Sequence, residues 1–389
     1  MQRIATLFEW LVDGAPGANS AVEVVDRIGH DVREAGVPVD RIAVFVTTLH
    51  PTVLGRAFFW EPDKPTRMIE LTTTNQEAPT VKASPVALVS ATKKELRRKL
   101  SGGVDPADFA VYHELVAAGF TDLICLPIIF LRGETHVVTF ATRKDVGFTD
   151  EELAIIRNVV RPLARITEIF ALHRTAANLL STYVGRNSGD RILAGRIFKG
   201  DIETINAVIW FSDLRGFTER TARQTPRQTI DMLNQLFEAQ VPAIQKAGGE
   251  ILKFIGDGLL AIFAYGSDRS PGDAAAAALV AADEAFRALE KQNEGVTNPM
   301  QFGLALHIGE ISYGNIGGAS RLDFTAIGPA VNIAARLEAL TAKLGKRLVL
   351  SEDFAKHVDR PLENLGAFDL KGVPEAQSVF APASFADEK

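Results

Sequence analysis

The chain has 389 residues, of which 47% are hydrophobic and 23% charged, with a formal net charge of −6 and a single cysteine. That length suggests two or three domains, and the composition is that of a soluble globular chain. The acidic balance disfavours nucleic acid, one cysteine forbids an intrachain disulfide, and a reducing cytoplasm is the compartment that fits. Met1 leads into "QRIATLFEWLVDGAPG", whose early Glu9 and Asp13 do not read as a signal peptide. Downstream, "DRIAVFVTTLHP", "GRAFFW" and "DLICLPIIFLRGETHVVTFAT" read as apolar strands, with Cys125 a small core residue inside the third. The apolar runs "LICLPIIFL" and "AAAAALVAA" are about half the roughly twenty residues of a membrane helix, so no span is expected. His30, His50, His113 and His136 have no regular ligand spacing, and Trp10, Trp60, Phe58 and Phe59 read as core. The basic run "KKELRRKL", residues 93–100, reads as a solvated helix face. Thr149 and Glu152 form a capping box for a long helix that Pro162 is expected to kink. The glycine-rich stretch 185–201 then predicts a division near residue 200.

Beyond it, Ile205 to Phe211 predicts a strand that ends at Ser212-Asp213 and turns at Gly216. Thr225 and Pro226 start a helix with Ile230, Leu233, Phe237, Val241 and Ile244 on one face, and Gly248-Gly249 stops it. Then "KFIGDGLLAIF" predicts a hairpin whose Gly-Asp-Gly turn carries Asp257. A βαββ unit of this kind lays the hairpin beside the first strand, which brings Asp213 and Asp257 together. Two carboxylates so placed repel each other unless a cation lies between them, and hard oxygen ligands with positions left for phosphate and water suit Mg²⁺. Further on, Asn332 and Arg336 in "VNIAARLEAL" share a helix face, and the apolar residues around them predict that both are buried or interfacial.

Together "VIWFSDLRGFT", "ILKFIGDGLLAIF", "FTAIGPAVNIAARLE" and "LKGVPEA" resemble the ordered motifs of class III nucleotidyl cyclases, over residues 205 to about 380. The resemblance implies an α+β fold: a ferredoxin-like βαββαβ sheet with helices on one face, acting as a homodimer with active sites at the subunit interface. It implies ATP as substrate, converted to 3′,5′-cyclic AMP and pyrophosphate, with two divalent metals, Mg²⁺ or Mn²⁺, in each site. Asp213, Asp257 and Leu214 match the metal positions. Gly216, Phe217 and Thr218 match the loop that faces the terminal phosphates, where Lys371 also maps. Asn332 and Arg336, given by the partner subunit, match the groups that orient the ribose and stabilise charge at the α-phosphate. Lys253 and Thr325 match the two base-selecting positions. Thr325 departs from the Asp many members carry there, which leaves guanylate cyclase as an alternative and points to a subgroup often stimulated by bicarbonate. Pro329 departs from the usual Asp or Asn, and a tight turn accounts for it. No GG[DE]EF turn is present, so a diguanylate cyclase is disfavoured. The N-terminal strands and the long helix resemble a GAF-like antiparallel-sheet domain able to take a small-molecule effector. The expected organisation is 1–172 GAF-like regulatory domain, 173–203 helical linker and 204–389 catalytic domain.

Overall fold

The computed structural model describes residues 2–47, 53–72, 84–198, 200, 202–318 and 322–383. His50 lies outside them. The chain divides into two compact units, Met1–Leu179 and Leu180–Lys389. No helix among the described residues is long and apolar enough to cross a membrane.

In the first unit the helices are α1 (Gln2–Val12), α2 (Ala21–Glu34), α3 (Pro85–Thr92), α4 (Ala110–Ala117) and α5 (Asp150–Val184). Its strands are β1 (Arg41–Thr47), β2 (Val53–Trp60), β3 (Arg67–Thr72), β4 (Leu96–Lys99), β5 (Asp122–Ile129) and β6 (Thr135–Thr142). They form one antiparallel sheet in the order β3-β2-β1-β6-β5-β4. Alternation along the strands gives the sheet two apolar faces. One packs Trp60 and Phe140 against Trp10, Ile28, Ile156 and Leu163 of the helices. The other packs Leu123, Cys125 and Val137 against Val89, Tyr112 and Leu115. Cys125 is fully buried, and burial pushes its thiol up to about 12, so it is a core residue. Trp10, Trp60 and Phe58 are buried too, while His30 and His113 are exposed.

The basic run is not a helix face. Leu96–Lys99 is a strand in which Arg97 donates to the fully buried Asp122 at 2.7 Å and Arg98 donates to Asp108 at 2.5 Å. Two leucines at helical spacing are a weak periodic signal, and pairing with β5 overrides it. The Thr149–Glu152 capping box is present, with reciprocal bonds of 2.8 and 3.2 Å. The helix it opens runs unbroken through Pro162 to Val184, and the division between the units falls inside it. Within the expected helical linker, α6 (Arg186–Leu193) packs on the second unit, where Ser188 Oγ meets Tyr313 Oη at 2.9 Å in a buried contact.

The second unit continues with β7 (Ile202–Leu214), α7 (Phe217–Thr221), α8 (Pro226–Lys246), β8 (Glu250–Ile255), β9 (Gly258–Tyr265), α9 (Pro271–Gln292) and β10 (Phe302–Gly317). After these come β11 (Leu322–Ile327), α10 (Pro329–Leu344), β12 (Leu348–Ser351), α11 (Glu352–Ala355), β13 (Leu362–Phe368) and β14 (Gln377–Pro382). Its sheet runs β13-β14-β12-β10-β7-β9-β8, with β11 paired to β10. The segment β7-α8-β8-β9-α9-β10 is therefore βαββαβ with the last strand beside the first, and the hairpin lies against β7 as the sequence predicts.

Helices do not all lie on one face. Val208 and Trp210 of β7 pack toward α8 and α9, while Ala207 and Ile209, pointing the other way, pack with Ala330 and Ala334 of α10. A strand apolar on both sides needs cover on both. The buried face of α8 is only partly the predicted one: Met232, Leu236, Ala239 and Ala243 enter the core beside the predicted Ile244, while Ile230 is exposed. Of the predicted stripe, Phe237 and Val241 also pack against that core, and Phe237 meets Phe254 of β8 with ring centroids 4.4 Å apart. Thr225 and Gln228 form a capping box at the helix start, and Gly248 follows its end at φ +78°.

Candidate active site

Asp213 is the penultimate residue of β7, with Ser212 paired to Leu259 of β9 on one side and Asp213 paired to Gly303 of β10 on the other. Asp257 sits in the two-residue turn between β8 and β9, where Gly256 takes φ +64°. The two carboxyl groups lie close enough for the charge of Asp257 to act on Asp213. Glycine at 258 permits this approach, because a Cβ there would lie 2.9 Å from Ser212 O and 3.3 Å from Asp213 Oδ1. Burial, then the charges of Asp257 and Glu338, push the Asp213 carboxyl up to about 7, against a backbone bond from Leu214 that favours the anion.

Glu338 on α10 is a third carboxyl in this field, and sequence reasoning misses it. Burial raises its pKa, while the Thr341 hydroxyl, donating at 3.3 Å, and the charge of Arg215 pull it back. Its only sequence signal is a place two residues after Arg336 in "AARLEAL". Arg215, which looks in sequence like a solvated charge, is part-buried and donates to the carbonyls of Lys346 at 2.5 Å and Thr341 at 3.3 Å. It ties the turn after Asp213 to the end of α10. Among the described residues no group of three or more His, Cys, Asp or Glu side chains is arranged to hold a metal. Leu214, the last residue of β7, has a buried side chain.

Gly216 adopts φ +68° and starts the short α7, with Gly216 and Thr218 exposed and Phe217 packed against the core. Lys253 forms an ion pair with Asp323 on β11, two residues before Thr325. Asn332 and Arg336 are exposed on α10, so the expectation that apolar neighbours bury them does not hold within one chain: Ala334 and Leu337 occupy the buried side. Lys371 is exposed in the connection between β13 and β14. The side chains of Asn332, Arg336 and Lys371 make no hydrogen bond or ion pair among the described residues. Pro329 occupies the first turn of α10, where its missing N–H costs nothing.

An antiparallel βαββαβ sheet with paired carboxylates at a strand end and a hairpin tip defines an α+β class of acidic-site proteins. Residues 202–380 match the family model of the adenylate and guanylate cyclase catalytic domain. The chain is similar to an adenylate cyclase of Anabaena cylindrica, 31% identical over 192 residues, which covers 46% of this chain and 37% of the relative. It is also similar to the terminal-differentiation specific adenylate cyclase of Dictyostelium discoideum, 28% identical over 191 residues, covering 47% of this chain and 9% of that one. The chain thus spans well under half the length of either curated relative. Among solved structures, the adenylyl cyclase CyaB from P. aeruginosa aligns with a TM-score of 0.43 at 25% identity, covering 49% of this chain and all of that one.

Proposed function

We propose that the second unit is an adenylate cyclase that converts ATP to 3′,5′-cyclic AMP and pyrophosphate. The observation that carries the reading is the proximity of the Asp213 and Asp257 carboxyl groups inside the region that matches the cyclase domain. An acidic pair with a carboxyl raised to about 7 and no cationic side chain paired with it among the described residues fits a divalent ion, and Asp213, Asp257 and the main-chain oxygen of Leu214 would hold two Mg²⁺ or Mn²⁺. When bound, such ions supply charge neutralisation at the triphosphate and acidify the ribose 3′-hydroxyl.

The chain's own groups do the positioning. The exposed turn at Gly216, Phe217 and Thr218 offers main-chain N–H groups to the β- and γ-phosphates, with Lys371 as a further cation. Lys253 donates to N1 of adenine, and Thr325 lies on the same strand as its ion-pair partner Asp323. Asn332 and Arg336, exposed and with side chains that make no hydrogen bond or ion pair among the described residues, fit a role in a second copy's site: Asn332 orients the ribose, and Arg336 offsets the charge that develops at the α-phosphate during in-line attack. A homodimer with two composite sites accommodates both.

The first unit serves this reading as a GAF-like regulatory domain. Its sheet and the helices α3 and α4 enclose a cavity of about 580 Å³ lined by Ala43, Phe45, Val86, Leu115, Leu123 and Val137, with Arg41 among its few polar groups. That size and lining suit a small-molecule effector. Incubating the purified chain with ATP or GTP and Mn²⁺ and identifying the product tests the proposal. Cyclic AMP supports it, cyclic GMP alone would make it a guanylate cyclase, and neither would leave a nucleotide-binding regulatory module.

A further inference from the structure

Alternation along the central strands turns Arg41, Ala43 and Phe45 of β1 and Val137 and Thr139 of β6 toward α3 and α4, where they line the cavity of the first unit. Its other walls include the apolar Val86, Leu115 and Leu123. Most of the polar side chains around it are already committed. Ser84 caps α3 by accepting from Ala87 N at 3.1 Å, and Ser90 and Thr135 donate to main-chain carbonyls. His136 Nδ1 takes the N–H and the hydroxyl of Thr47 at 3.1 and 3.2 Å, and its ring packs on Phe130, in the core on the opposite face of the sheet.

Arg41 and Thr139 are not committed. Neither side chain makes a hydrogen bond or ion pair among the described residues. Thr139 is buried, and burial pulls the Arg41 guanidinium below the usual arginine range. The charges of Glu61, Arg67, Glu114 and Arg143 also reach Arg41, two of each sign, and Glu61 is bonded instead to Lys64 at 2.7 Å. Arg41 stands over the Phe59 ring at 5.4 Å, a contact that steadies the guanidinium without meeting its N–H groups. Because Arg41 pairs with Ala141 and Ala43 with Thr139, the two side chains are diagonal neighbours on one face, within reach of a single small group. Guanidinium N–H groups left unmet in a partly desolvated apolar site are unfavourable, and an anion relieves that.

We infer that this cavity takes an apolar carboxylate, an aliphatic or aromatic acid whose carboxylate forks onto Arg41 and accepts from the Thr139 hydroxyl while its body lies against Phe45, Val86, Leu115 and Val137. The inference rests on the reading of the cavity as an effector site and names the class of effector. A guanidinium presents paired N–H groups that match the two oxygens of a carboxylate. A cyclic nucleotide fits worse, because its ribose and base bring several donors and acceptors to walls whose other polar groups are taken, and most would be buried unpaired. A cationic amine would meet like charge. A neutral alcohol would fill the apolar part and leave the guanidinium without a counter-charge.

The test is calorimetric titration and thermal melting of the full chain with hexanoate and phenylacetate, with their neutral counterparts hexanol and phenylacetamide, with hexylamine, and with cyclic AMP and cyclic GMP. The two acids should bind about tenfold or more tighter than their neutral counterparts and should raise the melting temperature with concentration. Arg41→Met should lose that tenfold, Arg41→Lys should keep part of it, and Thr139→Val should lose less than Arg41→Met. Without ligand, Arg41→Met should melt no lower than wild type, since it removes a charge that has no partner, whereas a structural arginine would do the reverse. Val86→Phe, which narrows the cavity from α3, should weaken acids and neutral compounds alike. Acid binding within about twofold of wild type in Arg41→Met, or tighter binding of the neutral compounds or cyclic nucleotides than of the acids, would overturn the inference and leave the effector reading standing. No binding of either acid at millimolar concentration would overturn it as well. An acid that binds through Arg41 and leaves cyclic AMP formation unchanged would sustain the ligand assignment and remove only the regulatory role.

Discussion

The carboxyl groups of Asp213 and Asp257 lie close enough to act on each other although no cationic side chain among the described residues is paired with either, and they are brought together from two different elements, a strand end and a hairpin turn. The fold supplies the repulsion that a bound cation would relieve.

Stability should depend on pH through this pair. The Asp213 carboxyl titrates near 7 in the folded chain and near 3.9 when unfolded, so the folded state binds more protons between those values. Its stabilising contribution is full below about pH 4 and is lost as pH rises through 7. Because the group is only part-buried, the loss should be on the order of 1–2 kcal/mol after solvent screening. Asp213→Asn should therefore be more stable than wild type at pH 8 and close to it at pH 4, as measured by urea denaturation. Equal stability at pH 8 would count against the raised carboxyl.

Divalent ions should act on the same repulsion. Adding Mn²⁺ at pH 8 should raise the melting temperature of the wild-type chain and should do so far less for Asp213→Ala or Asp257→Ala. Both variants should fold and lose turnover. An Mn²⁺-induced shift of wild-type size in either variant would place the ion elsewhere.

At Gly258 an added methyl group meets the Ser212 carbonyl at 2.9 Å and Asp213 Oδ1 at 3.3 Å. Gly258→Ala should cost about 1–3 kcal/mol and displace the Asp213 carboxylate, lowering turnover more than it lowers stability-limited yield. Turnover of the folded fraction equal to wild type would show that the carboxylate tolerates the shift.

His307 behaves in the opposite sense to Asp213. Burial depresses its pKa to about 4, with the ring bonded to Ser351 Oγ at 2.8 Å. The unfolded chain binds the extra proton below about pH 6.5, so this contribution is lost as pH falls from 6.5 toward 4, by up to about 3 kcal/mol. Replacing it, as in His307→Gln, should flatten the acid limb of a stability-against-pH curve. An unchanged limb would assign that slope to other groups.

Much of this arrangement is legible in sequence because its signals are local. Thr225-Pro226, Thr149 with Glu152, and Gly-Asp-Gly each dictate a cap or a turn within four residues, and two strand-end aspartates in a βαββ unit meet by topology. What the sequence hides depends on partners far along the chain. Arg215 looks solvated until the carbonyls of Thr341 and Lys346 arrive beside it, and Leu96 to Lys99 looks helical until β5 pairs with it. The ion pair of Lys253 with Asp323 is the clearest case, because the bulge at Leu252 reverses which way the lysine points. Alternation alone assigns it to the wrong side of the sheet.

If two chains combine to build each site, mixing two inactive variants should recover activity. Asp213→Ala and Arg336→Ala should each be inactive as homodimers, since each removes a group from every site. A mixed dimer gathers both defects in one interface and leaves the other intact. Losing one charge-stabilising group commonly costs on the order of a hundredfold, so a single restored site should stand well above background. With random pairing, half the dimers are mixed and each has one working site of two, which predicts about a quarter of wild-type cyclic AMP formation. Activity no greater than the sum of the separate variants, after subunit exchange has been demonstrated, would contradict the composite site and leave each chain to build its own.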